Sequence, residues 1–219
     1  MMNKTRLTAV ALTTTLALSG CGALNNSLVE KTKTVEYYRI FNIETDSHRS
    51  SVIDAASDGL GQNINNATEN TPIPSFSKAP AEPGRFKLIN PFEGSSMAAL
   101  AAASGAPIKM ASCEGAVWIA QANRDVQGSD NLKITACLWE YEGGYHLDTY
   151  ATFKKQTGGL MQISREMASA MVGTPEEWTE KTFLDIVRQV KSETGAKITY
   201  LEGYPKLQGT PWLDNGEDI

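Results

Sequence analysis

Histidine is scarce in this sequence, and the common catalytic and cofactor motifs are missing. His48 and His146 are the only histidines among 219 residues, and they lie in unrelated segments. A zinc site needs three or four His, Cys or carboxylate ligands at recognisable spacing, and the chain contains no His-x-x-x-His or Cys-x-x-Cys pair. There is no Gly-x-Ser-x-Gly elbow and no glycine-rich phosphate loop. The sequence therefore predicts no metal, no cofactor and no catalytic residue.

The sequence also lacks an excess of positive charge and an apolar run long enough to span a membrane. It has 20 Lys and Arg against 25 Asp and Glu, and loss of residues 1–20 would remove two positive charges, leaving 18 − 25 = −7. A net negative chain has no electrostatic basis for binding nucleic acid or anionic lipid. The apolar stretch at 7–18 has about a dozen residues, whereas a transmembrane helix needs about 20.

The first twenty residues have the layout of a bacterial signal peptide. A positively charged start precedes the apolar stretch, and residues 18–21 read Leu-Ser-Gly-Cys. This segment resembles the lipobox of bacterial lipoproteins, which implies cleavage before Cys21 and anchoring to the membrane by lipid on that cysteine. In lipoproteins an aspartate after the cysteine favours the inner membrane. Gly22 stands there instead, so we expect the outer membrane. The alternative is an ordinary secretory signal followed by a chance cysteine.

Two further cysteines, Cys113 and Cys137, remain in the exported part. Export places them in an oxidising compartment, where two cysteines permit one intramolecular bridge. We therefore expect a Cys113–Cys137 disulfide. The alternatives are two buried free thiols or a redox-active pair, and the wide spacing is unlike a redox-active Cys-x-x-Cys motif.

The hydrophobic pattern predicts one α+β domain over 35–205, after a lipidated tether at 21–34 and before a loose tail at 206–219. Strands are expected at 35–43, 85–89, from 116, and at 132–141, 145–155 and 197–201. Helices are expected from a cap at Asp46 or Ser47 to Gly59 or Gly61, over 95–104 and 160–171, and from the capping box at 174–177 to Gly195. A proline-rich loop is expected at 65–84. This order predicts an antiparallel sheet meander with helices packed on one face.

A Gly143-Gly144 pair separates two alternating segments, which is typical of a two-residue hairpin turn. Such a turn sets the register, and we predict the opposed pairs Glu142/Tyr145, Tyr141/His146, Trp139/Asp148 and Cys137/Tyr150. Opposed residues share a face of a sheet. One face is then apolar and belongs to the core. The other carries a mixed aromatic and polar set, namely Trp139, Tyr141, His146 and Asp148, which is the candidate binding face.

Two functional hypotheses follow, and only the second uses this face. The first is a non-enzymatic, membrane-anchored lipoprotein facing the periplasm, which binds an envelope protein partner or contributes to the envelope. The second is a lipid-anchored hydrolase or small-ligand binder that uses this face, in which His146 and Asp148 orient one another. Glu140 and Glu142 flank the turn, where exposed carboxylates are ordinary, so we expect no acid–base role for them. A deep pocket with His146 buried would favour the second hypothesis, and a flat exposed face would oppose it.

Overall fold

A computed structural model of the protein describes residues 31–74, 78–95, 97–99, 109–124, 132–157 and 174–206. The predicted signal peptide, Cys21 and the helix predicted at 160–171 lie outside these residues, as does the predicted tail apart from Lys206. Of the helix predicted at 95–104, residues 97–99 are helical and most of the others are not described.

Besides the helical residues 97–99, the described residues contain ten regular elements. In chain order they are β1 (Lys31–Glu44), α1 (Arg49–Gly61), β2 (Ala67–Asn70), β3 (Lys87–Ile89), β4 (Met110–Ser112), β5 (Trp118–Arg124), β6 (Leu132–Tyr141), β7 (Gly144–Thr157), α2 (Pro175–Thr194) and β8 (Lys197–Tyr204). Six strands form an antiparallel sheet in the order β2-β5-β6-β7-β1-β8, and β3 pairs with β4 in a separate sheet. The α+β class is therefore confirmed.

The chain divides into two compact units. The larger unit comprises 34–154 and 174–219, and it contains both helices and nearly all of the sheet. The smaller unit comprises 1–33 and 155–173, and its described residues are the first three of β1 and the last three of β7. The residues of the candidate binding face lie in the larger unit.

Helix α2 begins and ends where its local signals predict. The Thr174 hydroxyl accepts a hydrogen bond from the Glu177 N–H, and the Glu177 carboxylate accepts one from the Thr174 N–H, which completes the capping box. Pro175 occupies the first helical turn, where its missing N–H costs nothing. Gly195 ends the helix in the left-handed conformation, with φ of 65°.

Helix α1 differs from its prediction at its start and ends at one of the two predicted glycines. Its N-cap is His48 rather than Asp46 or Ser47, and the His48 side chain accepts a hydrogen bond from the Ser50 N–H. The helix continues through Gly59 and ends at Gly61, the second of the two glycines at which its end was predicted. A Cβ at Gly59 would lie 2.6 Å from the carbonyl oxygen of Asp185, so this glycine allows α1 and α2 to approach closely. The glycine at position 59 is therefore explained by the packing of the two helices and not by the termination of α1.

The helix face of the large sheet, defined here as the face that α1 and α2 cover, holds the main core. The α2 stripe packs on the apolar residues of the hairpin, as predicted. The buried residues that meet there come from both helices and the central strands, and they include Phe41, Val52, Leu60, Leu138, Leu147, Ala151, Phe153, Phe183, Ile186, Val187 and Val190. At about 25 cal/mol per Å² of apolar surface removed from water, this layer is the main source of stability.

The register predicted for the β6–β7 hairpin is wrong by one turn position. The turn is Glu142-Gly143, and Gly144 already belongs to β7, where it is opposed to Tyr141. The reason lies in β1, because a Cβ at Gly144 would fall 2.2 Å from the Ile43 carbonyl oxygen. The second glycine is therefore required by strand packing and not by the turn. Moving a two-residue turn by one position changes each partner by two residues, so the predicted faces are unchanged.

Strand β2 lies inside the segment that was predicted to be a loop. Its sequence, Ala-Thr-Glu-Asn, has little intrinsic strand preference, and it forms because it pairs with the edge of β5. The carboxylate of Glu69 also accepts a hydrogen bond of 2.8 Å from the indole N–H of buried Trp118. Pairing with a distant strand thus outweighed the local preference for a loop.

Candidate functional site

The candidate binding face lies on the side of the sheet opposite the helices. His146 and Asp148 follow each other at alternate positions of β7, so both side chains point away from the helix face. Trp139 on β6 is opposed to His146, and Cys137 is opposed to Asp148. The structure thus brings these residues together on one face, as predicted, but the cross-strand pairs differ from the predicted ones.

This face is buried and not open to solvent. Only 2 % of Trp139, 6 % of His146 and 1 % of Asp148 is exposed. Tyr141 is partly exposed, and its hydroxyl donates a hydrogen bond of 2.6 Å to Oδ1 of Asn42. The candidate binding face is therefore not a flat, accessible surface, because another segment of the chain covers it.

The cover is residues 78–86, which we call the strap. The N–H of Phe86 donates a hydrogen bond of 3.0 Å to Oδ2 of Asp148, and the N–H of Glu142 donates one of 2.9 Å to the Pro80 carbonyl. Gly84 lies against Trp139 so closely that a Cβ would be 2.3 Å from the indole Cδ1. Backbone contacts at three points thus hold the strap against the sheet.

Side chains at the ends of the strap strengthen this attachment. Lys78 forms an ion pair of 2.6 Å with Glu142, and Arg85 forms one of 2.7 Å with Glu202 on β8. The Phe86 ring lies between Tyr38 and Tyr150, with ring centroids 5.8 Å and 5.6 Å away.

A disulfide joins the segment that follows β4 to the sheet. Cys113 follows β4 and is bonded to Cys137 on β6, with their Cα atoms 5.8 Å apart. The predicted bridge is therefore present. The Trp139 indole N–H donates a hydrogen bond of 3.0 Å to the Glu114 carbonyl next to the bridge. Cys113, Ala116, Cys137 and Trp139 form a small apolar cluster against which Phe86 packs.

Burial changes the ionisation of both polar residues beneath the strap. It raises the pKa of Asp148 from 3.8 to about 7, although the Phe86 hydrogen bond and Arg85 oppose the shift. Burial, followed by the nearby Arg85 charge, lowers the pKa of His146. Both shifts favour the neutral forms. Near pH 7 His146 thus favours its neutral form and Asp148 is about half protonated, so the 3.7 Å approach of His146 Nδ1 to Asp148 Oδ1 is not a full ion pair.

Two polar atoms at this contact lack a hydrogen-bond partner among the described residues. They are Nδ1 of His146 and Oδ1 of Asp148. Buried polar atoms in proteins are usually hydrogen-bonded, so an unsatisfied pair is a costly arrangement. A neutral aspartic acid and a neutral imidazole are chemically able to share a proton, but 3.7 Å is too long for a hydrogen bond.

The other residues that the sequence marked for chemistry have structural partners. Glu140 accepts a hydrogen bond of 2.6 Å from Nε of Arg49, and Glu142 is paired with Lys78. His48 caps α1, far along the chain from His146. These contacts account for both carboxylates and for the second histidine without an acid–base role.

The sequence reasoning missed a buried ion pair on the helix face. Arg39 of β1 is fully buried, and its Nε and Nη2 donate hydrogen bonds of 3.0 and 2.7 Å to the two carboxylate oxygens of Glu180 on α2. Its Nη1 also donates to the carbonyl oxygens of Tyr38 and Pro205. The sequence did contain a signal for this pair, because Arg39 lies within the apolar segment Tyr-Tyr-Arg-Ile-Phe. A charge in a buried strand needs a buried partner.

Two open clefts lie elsewhere on the surface. One, of about 620 Å³, is lined by the end of α1, by β2 and by Gln189, and the other, of about 560 Å³, lies at the start of α1 beside Glu140 and Tyr145. Neither lining includes His146 or Asp148. Within the described ranges no group of three or more His, Cys, Asp or Glu is placed to bind a metal.

Comparison with known proteins adds no functional assignment. No protein-family model matches the chain, and no curated protein or solved structure does so either. In the part of the chain that the structure covers, no helix has the length and apolar character needed to cross a membrane.

Proposed function

We propose that this protein is a bacterial envelope lipoprotein, anchored by lipid on Cys21, that acts by binding and not by catalysis. The lipobox-like segment at 18–21 supports the anchor, and Gly22 supports the outer membrane with the domain in the periplasm. The Cys113–Cys137 disulfide is consistent with that oxidising compartment.

The observation that carries the binding role is the strap over His146 and Asp148. Catalysis requires substrate to come within hydrogen-bond reach of the acid or base, which is about 3 Å. Both residues are less than a tenth exposed, and backbone hydrogen bonds hold the strap above them. His146 is buried, but neither of the two open clefts is lined by His146 or Asp148, which favours a role for Asp148 in holding the strap over access by a substrate, and a partner would meet the outer surface.

The anchor is tested by the intact mass of protein extracted from membranes. We expect a chain that begins at Cys21 and carries acyl mass, and we expect Cys21→Ala to abolish the acyl mass and leave the protein unprocessed or soluble. Mature protein that begins elsewhere and carries no acyl group would refute the anchor.

The binding role is tested by crosslinking in intact cells, followed by purification of the lipoprotein and identification of what it carries. Cys21→Ala is the matched control, because it removes the anchor and leaves the domain surface unchanged. Reproducible capture of one envelope partner by the wild type is expected, and its retention or loss in the control shows whether binding also needs the anchor. Capture of only non-specific neighbours would contradict the proposal.

The second candidate is a lipid-anchored hydrolase or small-ligand binder. The unsatisfied Nδ1 of His146 and Oδ1 of Asp148 favour it, because such atoms are often completed by a ligand. This role needs the strap to open. Amide hydrogen exchange at Phe86 separates the two candidates: exchange as slow as that of core amides supports the binding role, and fast exchange in an otherwise folded protein supports the second candidate.

A further inference from the structure

The strap covers a buried face of the sheet but is itself exposed. Of its nine residues, five are exposed and four are partly buried, and none belongs to a helix or strand. Beneath it, by contrast, Trp139, His146 and Asp148 are each less than a tenth exposed. A segment with few buried contacts and no ladder hydrogen bonds opens at a lower free energy than the core around it. Release of the strap is therefore expected to leave the sheet folded.

The strap leaves three polar groups beneath it without a hydrogen bond. His146, Asp148 and Tyr150 lie at alternate positions of β7, so their side chains share one face of the sheet. Nδ1 of His146, Oδ1 of Asp148 and the Tyr150 hydroxyl have no hydrogen-bond partner among the described residues, and all three side chains are less than a tenth exposed. Buried polar atoms are usually hydrogen-bonded. The strap therefore occupies this face without satisfying it, and a ligand that satisfied it would compete with the strap.

The strap is held through its main chain, in the manner of a bound peptide. The Phe86 N–H donates to the Asp148 carboxyl group, and the Pro80 carbonyl accepts from the N–H of Glu142. Pro80 and Pro83 favour an extended backbone. Domains that bind extended peptides divide recognition in the same way, because main-chain hydrogen bonds supply affinity and side-chain pockets supply specificity.

Two positions of the strap fit the face through their side chains. A Cβ at Gly84 would lie 2.3 Å from Cδ1 of Trp139, so only glycine fits there without moving the indole. Two residues later, the Phe86 ring lies between Tyr38 and Tyr150, with centroid distances of 5.8 and 5.6 Å. Edge and tilted contacts of this kind are favourable beyond the area that they bury. The face therefore selects a glycine followed two residues later by an aromatic ring.

The charges beside the face add a third requirement. Glu142 pairs with Lys78 at one end of the strap. Glu202 pairs with Arg85 near the other end. Both pairs are exposed and contribute little to stability, but carboxylates at both ends favour a cationic segment over an anionic one. Arg85 lies between the glycine and the aromatic residue, which completes the pattern Gly-cation-aromatic.

From these contacts we infer that the strap is an autoinhibitory segment, and that the face beneath it binds an extended peptide of a partner protein with the pattern Gly-cation-aromatic, which displaces the strap. The contacts extend from residue 78 to residue 86, a length that a peptide matches and a small molecule does not. A partner peptide whose polar groups reach the three unsatisfied atoms gains hydrogen bonds that the strap does not make. The inference goes beyond the proposed function, in which a partner meets the outer surface, and its failure leaves that proposal and its crosslinking test unaffected.

The test measures, by fluorescence anisotropy, the binding of a labelled synthetic peptide with the sequence of residues 78–86 to the full mature protein in detergent. The wild type is compared with Phe86→Ala, which removes the ring of the strap from between the two tyrosines, and with Ile73→Ala, an exposed position outside the strap. The closed strap lowers the apparent affinity for a peptide, because the strap must leave first. We therefore expect Phe86→Ala to bind the peptide about tenfold more tightly than the wild type, and Ile73→Ala to bind it as the wild type does.

A second peptide, with alanine in place of Gly84, tests whether binding occurs at this face. It should bind Phe86→Ala about tenfold more weakly than the first peptide, because its methyl group meets Trp139. Equal affinity of the first peptide for the wild type and Phe86→Ala, or equal affinity of the two peptides, would overturn the inference. Arg85→Ala weakens the strap without removing a packed ring, and it supplies the same comparison with the same expected direction if Phe86→Ala does not fold. Dimers of Phe86→Ala without peptide, detected by light scattering, would show that the face takes the strap of a second copy, and a partner peptide would then be wrong.

Discussion

The N–H of Phe86 donates a hydrogen bond to Oδ2 of Asp148 across 62 residues of sequence, and this bond joins the strap to the centre of the sheet. The carboxyl group that accepts it is 1 % exposed. Burial raises the pKa of this aspartate to about 7, so its contribution to the free energy of folding depends on pH.

The first prediction concerns that pH dependence. The pKa of Asp148 is near 3.8 in the unfolded chain and about 7 in the fold, so the folded state binds the extra proton between these values. The stabilising contribution of the neutral group is complete below about pH 4 and is lost as pH rises through 7. Asp148→Asn cannot ionise and keeps an acceptor for Phe86. Its free energy of unfolding should exceed that of the wild type by a few kcal/mol near pH 8, with little difference near pH 4 in urea titrations.

Asp185 is the matched control, because its pKa shift has the opposite sign. Burial would raise its pKa, but hydrogen bonds from Asn63, Lys181 and Arg188 outweigh burial and lower it. Its stabilising contribution is present above 3.8 and is lost only as pH falls further, through the lower pKa of the folded state, so Asp185→Asn should destabilise the protein by about the same amount near pH 8 and near pH 4. If the difference in free energy of unfolding between Asp148→Asn and the wild type is the same at both pH values, the raised pKa of Asp148 is wrong.

The second prediction concerns Gly144. Its φ is 125°, and a Cβ there would lie 2.2 Å from the Ile43 carbonyl oxygen, a backbone atom that cannot move without disturbing β1. We expect Gly144→Ala to lower the free energy of unfolding by roughly 3 kcal/mol or more, measured by denaturant titration. Gly61→Ala is the control, since a Cβ there meets nothing within 4 Å, and it should change stability by less than about 1 kcal/mol. A tolerated Gly144→Ala would contradict the close approach of the Ile43 carbonyl to Gly144.

The third prediction concerns the ion pair between Arg39 and Glu180. Glu180→Ala leaves the guanidinium buried without its carboxylate, which should cost about 3 kcal/mol in the free energy of unfolding. The double change Arg39→Met with Glu180→Leu should cost less than the single change, because no unpaired charge remains. Lys197 forms an exposed pair with Glu44, and Lys197→Ala should cost less than about 1 kcal/mol. Equal costs for Glu180→Ala and Lys197→Ala would contradict the burial of Arg39.

The fourth prediction concerns the disulfide. Replacing both Cys113 and Cys137 by alanine opens a loop of 24 residues, which should lower the free energy of unfolding by about 3 kcal/mol on the chain-entropy account. Reduction of the wild type should produce a loss of similar size, and Cys21→Ala should produce none. Two free thiols in protein purified without reductant would show that the bridge does not form.

Several elements were predictable because their causes are local. The capping box at Thr174 and the glycine at position 195 act within one helical turn, so α2 was located correctly. The alternation of β6 and β7 is also local, and it placed Leu147 on the helix face and His146 on the opposite face. This assignment survived the wrong turn position because a shift of two residues preserves alternation.

The burial of the candidate site could not be read from the sequence. Trp139, His146 and Asp148 form a mixed polar and aromatic pattern that is typical of a solvated face, and only a segment more than fifty residues away along the chain covers it. The strap is rich in proline and glycine, and its loop-like composition carries no sign of the surface that it contacts.

The sequence by itself determined the α+β class, the ends of α2, the pairing of the two cysteines and the residues that share each face of the hairpin, because these depend on short-range geometry and on a single choice of partner. The tertiary structure alone decided the hairpin register, the existence of β2, the Arg39–Glu180 pair and the strap over Asp148. Each of these depends on contacts between segments far apart in the chain, such as the Ile43 carbonyl against Gly144 and the Phe86 amide at Asp148. The free energy of such contacts is set by packing and burial, for which local residue preferences carry no signal.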